Sequence, residues 1–463
     1  MTDPIQAAQE ALQAAMPQAN ADPARPRYHF TAPAHWLNDP NGTIYHDGYY
    51  HLFYQHHPYS DEWGPMHWGH ARSSDLLRWE HLPIALYPEG DDVENGIFSG
   101  CVAINLLGQP MAFYTRANHP KQPGTPDDFT QAVAFGSQDL MVWEKREQPL
   151  LTRTGPAADY LADWRDPFIF HTEGRTFLTV GMTGKGLPIY EAMDEAFLQW
   201  EHRGILAEND AECPNFFAVD GHWLYLRSPF NNILYEIGDF DLDTLTFSPE
   251  TSGRYDWSEF DHSSYYATNH LYAPDGRSIL FGWVRGWESG HGWNGAMGIP
   301  REVHIGADGI LRTPPIAEMA SLRQPLQEKV TVELDQGPTA LPFQPGFQCE
   351  LSCRLSLGEA ETMGFGFCNS PEGIPDHALW LAADGIHLDG VHIPLDESQV
   401  AKPVEVRLFI DHSLAELFVD GGRYCAVRVL KDWNPQHRRV KAFSDGSGAV
   451  IHDLQVWHIA LED

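Results

Sequence analysis

Three acidic residues occupy corresponding places in this sequence, each directly before an apolar segment. Asp39 lies in NDPNG, Asp166 in WRDPF and Glu212 in ECPNFF. Each segment carries a D-G or E-G turn between two apolar runs, which is typical of a β-hairpin. Carboxylates brought to one site push their pKa values apart, which prepares an acid and a base from similar groups. Glycoside hydrolysis and hard-metal binding both use such a set.

Histidines are concentrated just after Asp39, so metal binding needs separate consideration. The sequence contains no H-E-x-x-H motif or comparable ligand spacing. We therefore predict neither a metal site nor a cofactor, and we expect neighbouring strands to satisfy these side chains. The histidines are His46, His51, His56, His57, His67 and His70.

A weak repeat indicates how the acids are positioned. A pattern similar to D-L-x-x-W-E recurs around Trp79, Trp143 and Trp200, and a degenerate copy contains Phe247. Repeats of about 50 residues, each with about four short strands, are typical of a β-propeller. Residues 25–320 have room for five such blades. Inner strands of a propeller begin at the central axis, so we expect the three acids to converge there.

The predicted fold is all-β, a five-bladed β-propeller followed by a C-terminal β-sandwich. After the propeller the pattern changes to a connector with some helical character, which we assign as a linker over 321–345. Alternating segments with turns every ~8–12 residues then predict a β-sandwich over 346–463. Residues 1–24 are predicted to be an N-terminal extension with a short amphipathic helix that ends near Pro17.

Composition excludes several classes of partner. The 463-residue chain is 43% hydrophobic, enough for a substantial core, and its formal net charge is −34. Nucleic acids and anionic membranes require clustered Lys and Arg, so neither is expected as a partner. No run of ~18 apolar residues occurs, so no membrane span is expected.

Cysteine usage and the N-terminal residues predict a cytoplasmic protein. The cysteines form no C-x-x-C pair or zinc pattern, which favours buried free thiols in a reducing compartment. Residues 1–20 lack the basic start and long apolar run of a secretory signal. The six cysteines are Cys101, Cys213, Cys349, Cys353, Cys368 and Cys425.

A series of ordered motifs resembles the glycoside hydrolase family of invertases, sucrose-6-phosphate hydrolases, inulinases and levanases, family 32. The resemblance covers roughly residues 25–460 and implies a five-bladed propeller with a β-sandwich, in agreement with the pattern above. The motifs are WLNDPNG (36–42), WGPMHWGHARSSDLLRWEHLPIAL (63–86), FSGC (98–101), WRDPF (164–168), ECPNFF (212–217), FGWV (281–284), GIPREV (298–303) and IDHSLAELFVDGG (410–422).

The resemblance also implies roles for individual residues. Asp39 would be the nucleophile of a retaining mechanism, Glu212 the acid/base, and Asp166 the transition-state stabiliser that holds fructose hydroxyls. The positions that match the family's fructose pocket are Asn38, Gln55, Trp63, Phe98, Ser99, Arg165 and Trp283.

The activity implied is hydrolysis of the terminal non-reducing β-D-fructofuranosyl unit of sucrose and short fructo-oligosaccharides. Sucrose-6-phosphate hydrolase and fructosyltransferase are alternatives on the same fold, and an inactive carbohydrate-binding module is an alternative of a different class. The expected partner is a small-molecule sugar. The chain is expected to be a monomer or a homo-oligomer formed through the sandwich.

Three departures from the family pattern leave the leaving-group preference open. DHSSYYA (261–267) is one residue shorter than the family's D-x-G-x-D-F-Y-A, and Ser264 falls near its second Asp. ECPN replaces the commoner E-C-P-D. FYTR (113–116) replaces Y-T-G, and we expect Arg116 to reach the subsite beyond fructose.

Overall fold

A computed structural model describes residues 3–90, 93–119, 128–259, 264–341, 343–344, 346–369, 377–436 and 439–461. Strands dominate the described residues. The helices are α1 (Pro4–Ala21) and α2 (Glu397–Val400), with 3₁₀ turns at Gly155–Ala157 and Ala317–Leu322. None of the helices in these ranges is both long and apolar enough to cross a membrane.

The N-terminal two thirds of the chain forms five sheets, built mainly from consecutive antiparallel strands. The strands are β1 (His35–His46), β2 (Tyr49–His57), β3 (His67–Ser73) and β4 (Glu80–Leu86); β5 (Gly96–Ile104), β6 (Pro110–Asn118), β7 (Asp128–Gly136) and β8 (Trp143–Lys145); β9 (Arg165–Thr172), β10 (Arg175–Gly181), β11 (Leu187–Ala192) and β12 (Trp200–Ala207); β13 (Glu212–Val219), β14 (His222–Ser228), β15 (Leu234–Asp241) and β16 (Thr246–Arg254); β17 (Ser264–Tyr272), β18 (Ser278–Arg285), β19 (Trp293–Asn294), β20 (Ala296–Met297) and β21 (Arg301–Glu302).

The five sheets are arranged as the blades of a propeller. The first strand of each sheet lies against the first strand of the next, in the order β1, β5, β9, β13 and β17, and β17 returns to β1. Strand β19 leaves the fifth blade and pairs in parallel with β1, so residues late in the chain complete the first sheet. This ring of inner strands confirms the predicted five-bladed propeller.

Every inner strand is irregular at the same level of the ring. The strand register shifts between Leu37 and Pro40, Phe98 and Gly100, Arg165 and Pro167, Glu212 and Asn215, and Tyr266 and Thr268. Within these bulges Asp166, Cys213 and Ala267 have φ values of 67°, 48° and 48°. Left-handed backbone is unfavourable for such residues, and bulges of this kind re-aim side chains beside functional sites.

Below the bulges, polar side chains cross-link the inner strands. Gly100 N–H donates to Asn41 Oδ1 at 3.3 Å, and Asn269 Nδ2 donates to the Gly100 carbonyl at 3.2 Å. Asn215 Nδ2 donates to the Thr268 carbonyl at 2.8 Å. These five residues, all at the same depth on the propeller axis, are called the amide belt below. The belt separates a cavity at one end of the axis from a cavity at the other.

The C-terminal region is a sandwich of two six-stranded sheets whose facing side chains form one core. A short hairpin, β22 (His304–Ile305) and β23 (Leu311–Arg312), precedes it. In spatial order the first sheet is β24 (Arg323–Leu334), β35 (Ala449–Ile459), β26 (Gln348–Ser356), β31 (Val404–Asp411), β32 (Leu414–Val419) and β33 (Tyr424–Val429). The second is β25 (Gly337–Ala340), β34 (Arg439–Ser444), β27 (Thr362–Asn369), β28 (His377–Ala382), β29 (Gly385–Leu388) and β30 (Val391–Pro394).

The predicted linker over 321–345 is wrong for most of its length. Strand β24 pairs with β35, and β25 pairs with β34, so this stretch supplies an edge strand to each sandwich sheet. The physical reason is alternation: Val330 and Val332 pack against the sandwich core and Leu334 is buried within it. The period-2 pattern therefore outweighs the helical character of the preceding residues.

The N-terminal helix is longer than predicted. Helix α1 continues through Pro17 and ends at Ala21. A proline inside a helix removes one backbone hydrogen bond, but Leu12 and Ala19 are buried on either side of it, against Ile84 and Trp293. Tertiary packing thus holds the last turn together.

A buried group of charged side chains joins the two domains. His29 Nδ1 lies 2.8 Å from Asp411 Oδ2, and His29 Nε2 lies 2.9 Å from Glu416 Oε1. Arg301 Nη2 lies 2.9 Å from Asp256 Oδ2 and 3.3 Å from Glu416 Oε2. These five residues are called the interdomain cluster. All are almost completely buried, so each charge must be offset inside the protein.

In the described part of the chain the cysteines are free and buried, as predicted. Five side chains are free buried thiols, and no disulfide joins any of them; they are Cys101, Cys213, Cys349, Cys353 and Cys425.

Candidate active site

All ten residues predicted to form the site line one cavity at the bulged end of the propeller axis. Its volume is about 290 Å³. The predicted residues are Asn38, Asp39, Gln55, Trp63, Phe98, Ser99, Arg165, Asp166, Glu212 and Trp283. The three acids, Asp39, Asp166 and Glu212, lie near the starts of β1, β9 and β13. The ring of inner strands therefore brings them together.

The carboxylate of Asp39 is held by donors on both oxygens. Ser99 Oγ donates to Oδ2 at 2.6 Å, and Asn38 Nδ2 donates to Oδ1 at 3.0 Å. Asn38 is itself fixed, because its Oδ1 accepts from Trp36 Nε1 at 2.7 Å. Asp39 lies in the bulge of β1, and Ser99 lies in the bulge of β5, so the two bulges together set the hydrogen bond between these two side chains. The carboxylate has one orientation toward the cavity.

Asp166 is the most buried acid of the site. Its Oδ2 accepts the Cys213 backbone N–H at 2.9 Å, and its own N–H donates to Thr115 Oγ1 at 2.9 Å. Burial raises the pKa of Asp166 to about 7; the Arg165 charge opposes this rise, and the charges of Glu212 and Asp39 add to it. At Asp166 the effect of burial on the pKa therefore outweighs the opposing charge of Arg165.

Glu212 is bound by one cation and one hydroxyl. Arg165 Nη2 lies 2.7 Å from Oε1, and Tyr266 OH donates to Oε2 at 2.7 Å. Burial raises the pKa of Glu212 despite Arg165 and Tyr266, which both favour the ionised form, and the charge of Asp39 adds to the rise. A carboxylic acid with a raised pKa is suited to donate a proton.

One thiol contacts two of the acids. Cys213 Sγ lies 3.6 Å from Asp39 Oδ2 and 3.6 Å from Asp166 Oδ2. Burial raises the pKa of this thiol well above its ordinary value, and the nearby carboxylates raise it further. Cys213 therefore stays protonated and can donate a weak hydrogen bond to either acid.

The walls of the cavity are partly aromatic. Trp63 is 56% exposed at the mouth, and its ring meets Phe98 edge-on with centroids 6.3 Å apart. Gln55 lies deeper, where its Nε2 donates to the Ile97 carbonyl at 2.9 Å. Trp283 forms another wall and contacts Trp36 edge-on. Aromatic faces beside fixed polar groups suit a sugar ring, which has apolar faces and hydroxyl edges.

Sequence reasoning missed three lining residues, Phe230, Tyr266 and Arg285. Tyr266 could have been found, because it directly precedes the bulge of the fifth inner strand, which corresponds to the places of the acids. Phe230 follows β14 and lies 5.8 Å from the Arg165 guanidinium, and Arg285 ends β18 over the Trp283 ring. Neither has a local sequence signal, because loop and strand ends reach the cavity only after the ring closes.

The predicted reach of Arg116 into the next subsite is wrong. Its Nε lies 3.2 Å from the buried carboxylate of Glu94, and its other nitrogens donate to the carbonyls of Arg146 and Glu147. The pull of a fully buried acid directs Arg116 away from the cavity. Another of the three departures, DHSSYYA, lies partly outside the described residues, which resume at Ser264.

Comparisons with known proteins agree with this geometry. Residues 29–315 match the N-terminal domain of glycosyl hydrolases family 32, and residues 384–458 match the C-terminal domain of that family. A sucrose-6-phosphate hydrolase from Escherichia coli is 30% identical, over 98% of this chain and 99% of its own length. A levanase from Bacillus subtilis (strain 168) is 30% identical, over 94% of this chain and 71% of its own.

Solved structures give the same result. A family 32 β-fructofuranosidase from Bombyx mori superimposes with a TM-score of 0.80 and 26% identity, covering 98% of this chain and 97% of that one. An exo-inulinase from Aspergillus awamori shares the fold with a TM-score of 0.80. The chain therefore belongs to glycosyl hydrolase family 32 and is a glycoside hydrolase.

Proposed function

We propose that this enzyme is a retaining β-fructofuranosidase that removes the terminal non-reducing β-D-fructofuranosyl unit from sucrose and short fructo-oligosaccharides. The observation that carries the proposal is the meeting of Asp39, Asp166 and Glu212 with Arg165 in one cavity. The names of the relatives, which include levanase and β-fructofuranosidase, support a fructosyl substrate.

In the first step Asp39 attacks the anomeric carbon of the fructosyl unit. The bond from that carbon to the leaving-group oxygen breaks, and the oxygen takes the proton of Glu212. The products of this step are a fructosyl ester on Asp39 and a free alcohol. The raised pKa of Glu212 keeps its proton available, and the two donors on Asp39 hold the attacking oxygen in place.

In the second step Glu212 acts as the base. It removes a proton from water, the water oxygen attacks the anomeric carbon, and the Asp39 carboxylate leaves. Two displacements on one carbon give net retention of configuration. Asp166 and Arg165 bind the hydroxyls of the fructosyl ring, where a charged acceptor and a charged donor stabilise the transition state.

Replacing Asp39 by Asn tests the proposal directly. We expect fructose release from sucrose to fall by at least ~10⁴-fold, because the nucleophile is lost while the shape of the side chain stays. Asp47→Asn, at the exposed β1–β2 turn of the same blade, is the matched control and should keep full activity. Thermal unfolding of both variants checks the fold. Full activity of the Asp39 variant would overturn the assignment.

Methanol tests the stereochemistry. As an acceptor it should trap the ester as the β-methyl fructoside, a glycoside that does not mutarotate and whose anomeric configuration NMR identifies. The α-anomer would instead indicate a single displacement.

A second candidate is hydrolysis of sucrose 6-phosphate. It is supported by the name of the Escherichia coli relative and by Arg285 at the cavity mouth, since guanidinium groups bind phosphate bidentately. The test is the ratio of kcat/KM for sucrose 6-phosphate over sucrose, in the natural enzyme and in Arg285→Gln. If the natural enzyme prefers sucrose 6-phosphate and Arg285→Gln loses that preference, this candidate is favoured. If the natural enzyme shows no preference for sucrose 6-phosphate, the first candidate is favoured.

Transfer of fructose to another sugar uses the same ester, so the two outcomes need a product assay. Equal release of glucose and fructose from sucrose supports hydrolysis, and an excess of glucose supports transfer. We also propose a cytoplasmic location, supported by the free buried thiols. Fractionation of the source cells with an antibody to this chain tests that location.

A further inference from the structure

Three aromatic rings form a ladder across one edge of the sandwich. In the strand register Trp380 of β28 is opposite His387 of β29, which is opposite His392 of β30. The Trp380 and His387 rings stack with centroids 4.8 Å apart, and the His387 and His392 rings stack at 4.5 Å. Neighbouring residues such as Ile386 and Ile393 face the core, so the ladder stands on the outer face of the sheet.

The turn between β28 and β29 adds a carboxylate to this ladder. His387 Nε2 lies 2.9 Å from Asp384 Oδ1, and His392 Nε2 lies 3.1 Å from the Asp384 backbone carbonyl oxygen and 3.6 Å from Asp384 Oδ2. The three ligand atoms all lie within 4.8 Å of one another. Both imidazoles therefore present the same nitrogen to one carboxylate, although the residues belong to different strands and a turn.

We propose that Asp384, His387 and His392 bind one divalent ion of the zinc type. Two imidazole nitrogens and one carboxylate oxygen suit a borderline ion such as Zn²⁺ better than Mg²⁺ or Ca²⁺, which prefer oxygen alone. A tetrahedral ion needs ligand atoms about 3.3 Å apart. His392 is 43% exposed, so its ring can turn to reach that spacing, while the stack on Trp380 holds His387 in place. Water fills the fourth position.

This inference differs from the sequence-based prediction of no metal site. The spacing D-x-x-H-x₄-H matches no common ligand pattern, and the three side chains meet only because the hairpin register aligns them. Strand β30 is the outer strand of its sheet. Edge strands are the least supported part of a sheet, so a bound ion would hold this edge to its neighbour.

Calorimetric titration of the full chain with ZnCl₂, after treatment with EDTA and buffer exchange, tests the proposal. The test variant is His392→Gln. The control is His291→Gln, because the His291 side chain has the same exposure, 43%, and also contacts a carboxylate, that of Asp22. Its ring neighbour is Trp293, and no imidazole among the described residues stacks on it. Titration with MgCl₂ controls for general attraction of cations to an acidic protein.

We expect one Zn²⁺ per chain in the natural protein and in His291→Gln, at least tenfold weaker binding in His392→Gln, and no saturable binding of Mg²⁺. Saturating Zn²⁺ should raise the melting temperature of the natural protein but not that of His392→Gln. Circular dichroism establishes that the variant is folded. Absence of Zn²⁺ binding in the natural protein, or unchanged binding in folded His392→Gln, overturns the proposal.

Discussion

The candidate active-site cavity and the interdomain cluster both bury carboxylates beside one arginine, but the pKa values of their acids shift differently. In the cavity the pKa values of Asp166 and Glu212 are raised. In the cluster burial also acts to raise the pKa values of Asp411 and Glu416, but hydrogen bonds and charge from His29 leave both lowered.

The difference shows which partner offsets burial. Asp256, whose cationic partner in the cluster is Arg301 rather than His29, still has a raised pKa because burial outweighs that charge. In the cavity Arg165 is likewise shared between Asp166 and Glu212. His29 places one ring nitrogen within 2.9 Å of each of its two acids, and the pKa values of both are lowered, which suits stability. Arg165 is close to Glu212 but lies 3.9 Å from Asp166, and the pKa values of both cavity acids stay raised, which suits proton transfer.

Replacing His29 by Gln should have the largest effect on stability. It leaves the carboxylates of Asp411 and Glu416 buried without their main partner, and breaking such a group costs about 3–5 kcal/mol. Urea unfolding measures the change. Asp166→Asn, which removes charge from the cavity instead, should not lower the free energy of unfolding, although it should abolish most activity.

A control separates charge from packing at this position. His270 is also buried, but it stacks on Phe217 and meets Tyr272 edge-on instead of lying between acids. His270→Gln should therefore cost clearly less than His29→Gln. Similar losses in the two variants would contradict the comparison.

The pH dependence of stability should come next in size. Burial alone would lower the pKa of His29, but Asp411 and Glu416 raise it to about 9. A raised histidine pKa stabilises the fold fully below the unfolded value of about 6.5, and this contribution of about 3 kcal/mol is lost as pH rises through about 9. The difference in unfolding free energy between the natural chain and His29→Gln should therefore shrink from pH 6.5 to 9.5. A constant difference would contradict the role of His29.

Removing the Tyr266 hydroxyl should change catalysis rather than stability. Its hydrogen bond favours ionised Glu212, so Tyr266→Phe should raise the pKa of Glu212 further. As the proposed general acid, Glu212 then keeps its proton to higher pH, so the alkaline limb of the kcat profile should shift to higher pH, with kcat reduced about tenfold. Tyr272 lies on the same strand as Tyr266, but its hydroxyl donates to the Ala218 backbone carbonyl. Tyr272→Phe should therefore leave the pH profile of kcat unchanged. A downward shift in Tyr266→Phe would contradict the assignment of Glu212.

The smallest effect is expected at the thiols. Cys213→Ser keeps a donor near Asp39 and Asp166, so its kcat/KM should fall only about threefold. Cys213→Val has no donor, so its kcat/KM should fall further. Cys425 is the matched thiol beside the interdomain cluster, and its Sγ lies 3.4 Å from Thr313 Oγ1. Cys425→Ser should not change the kinetics. Equal activity of the Ser and Val variants at position 213 would show that the thiol is not a donor in catalysis.

The cavity could be predicted from sequence to a large extent because its acids carry local signals. Asp39, Asp166 and Glu212 each precede a hairpin with a recognisable turn, and repetition indicates that they converge. Phe230 and Arg285 carry no such signal, because their places depend on how the blades close into a ring.

The interdomain cluster could not be predicted in this way. His29 and Asp411 are 382 residues apart. Asp411 lies in the motif IDHSLAELFVDGG, but the motif does not indicate that its carboxylate meets His29. Their meeting depends on docking of the N-terminal segment between the propeller and the sandwich. The assignment of 321–345 as a linker failed for a related reason. Few residues of β24 are apolar, so its alternating pattern is weak in the sequence, and the strand is recognised only from its pairing with β35.

The amide belt has a consequence for the order of events in the proposed reaction. Asn41, Asn215 and Asn269 bridge neighbouring inner strands away from the lining of the cavity, so we expect substrate and products to share one entrance. The alcohol set free first stands between the bound fructosyl group and the outside, so it must depart before water can arrive and before fructose can escape. Fructose is then the final product to dissociate, and as an added inhibitor it should compete with sucrose for the free enzyme.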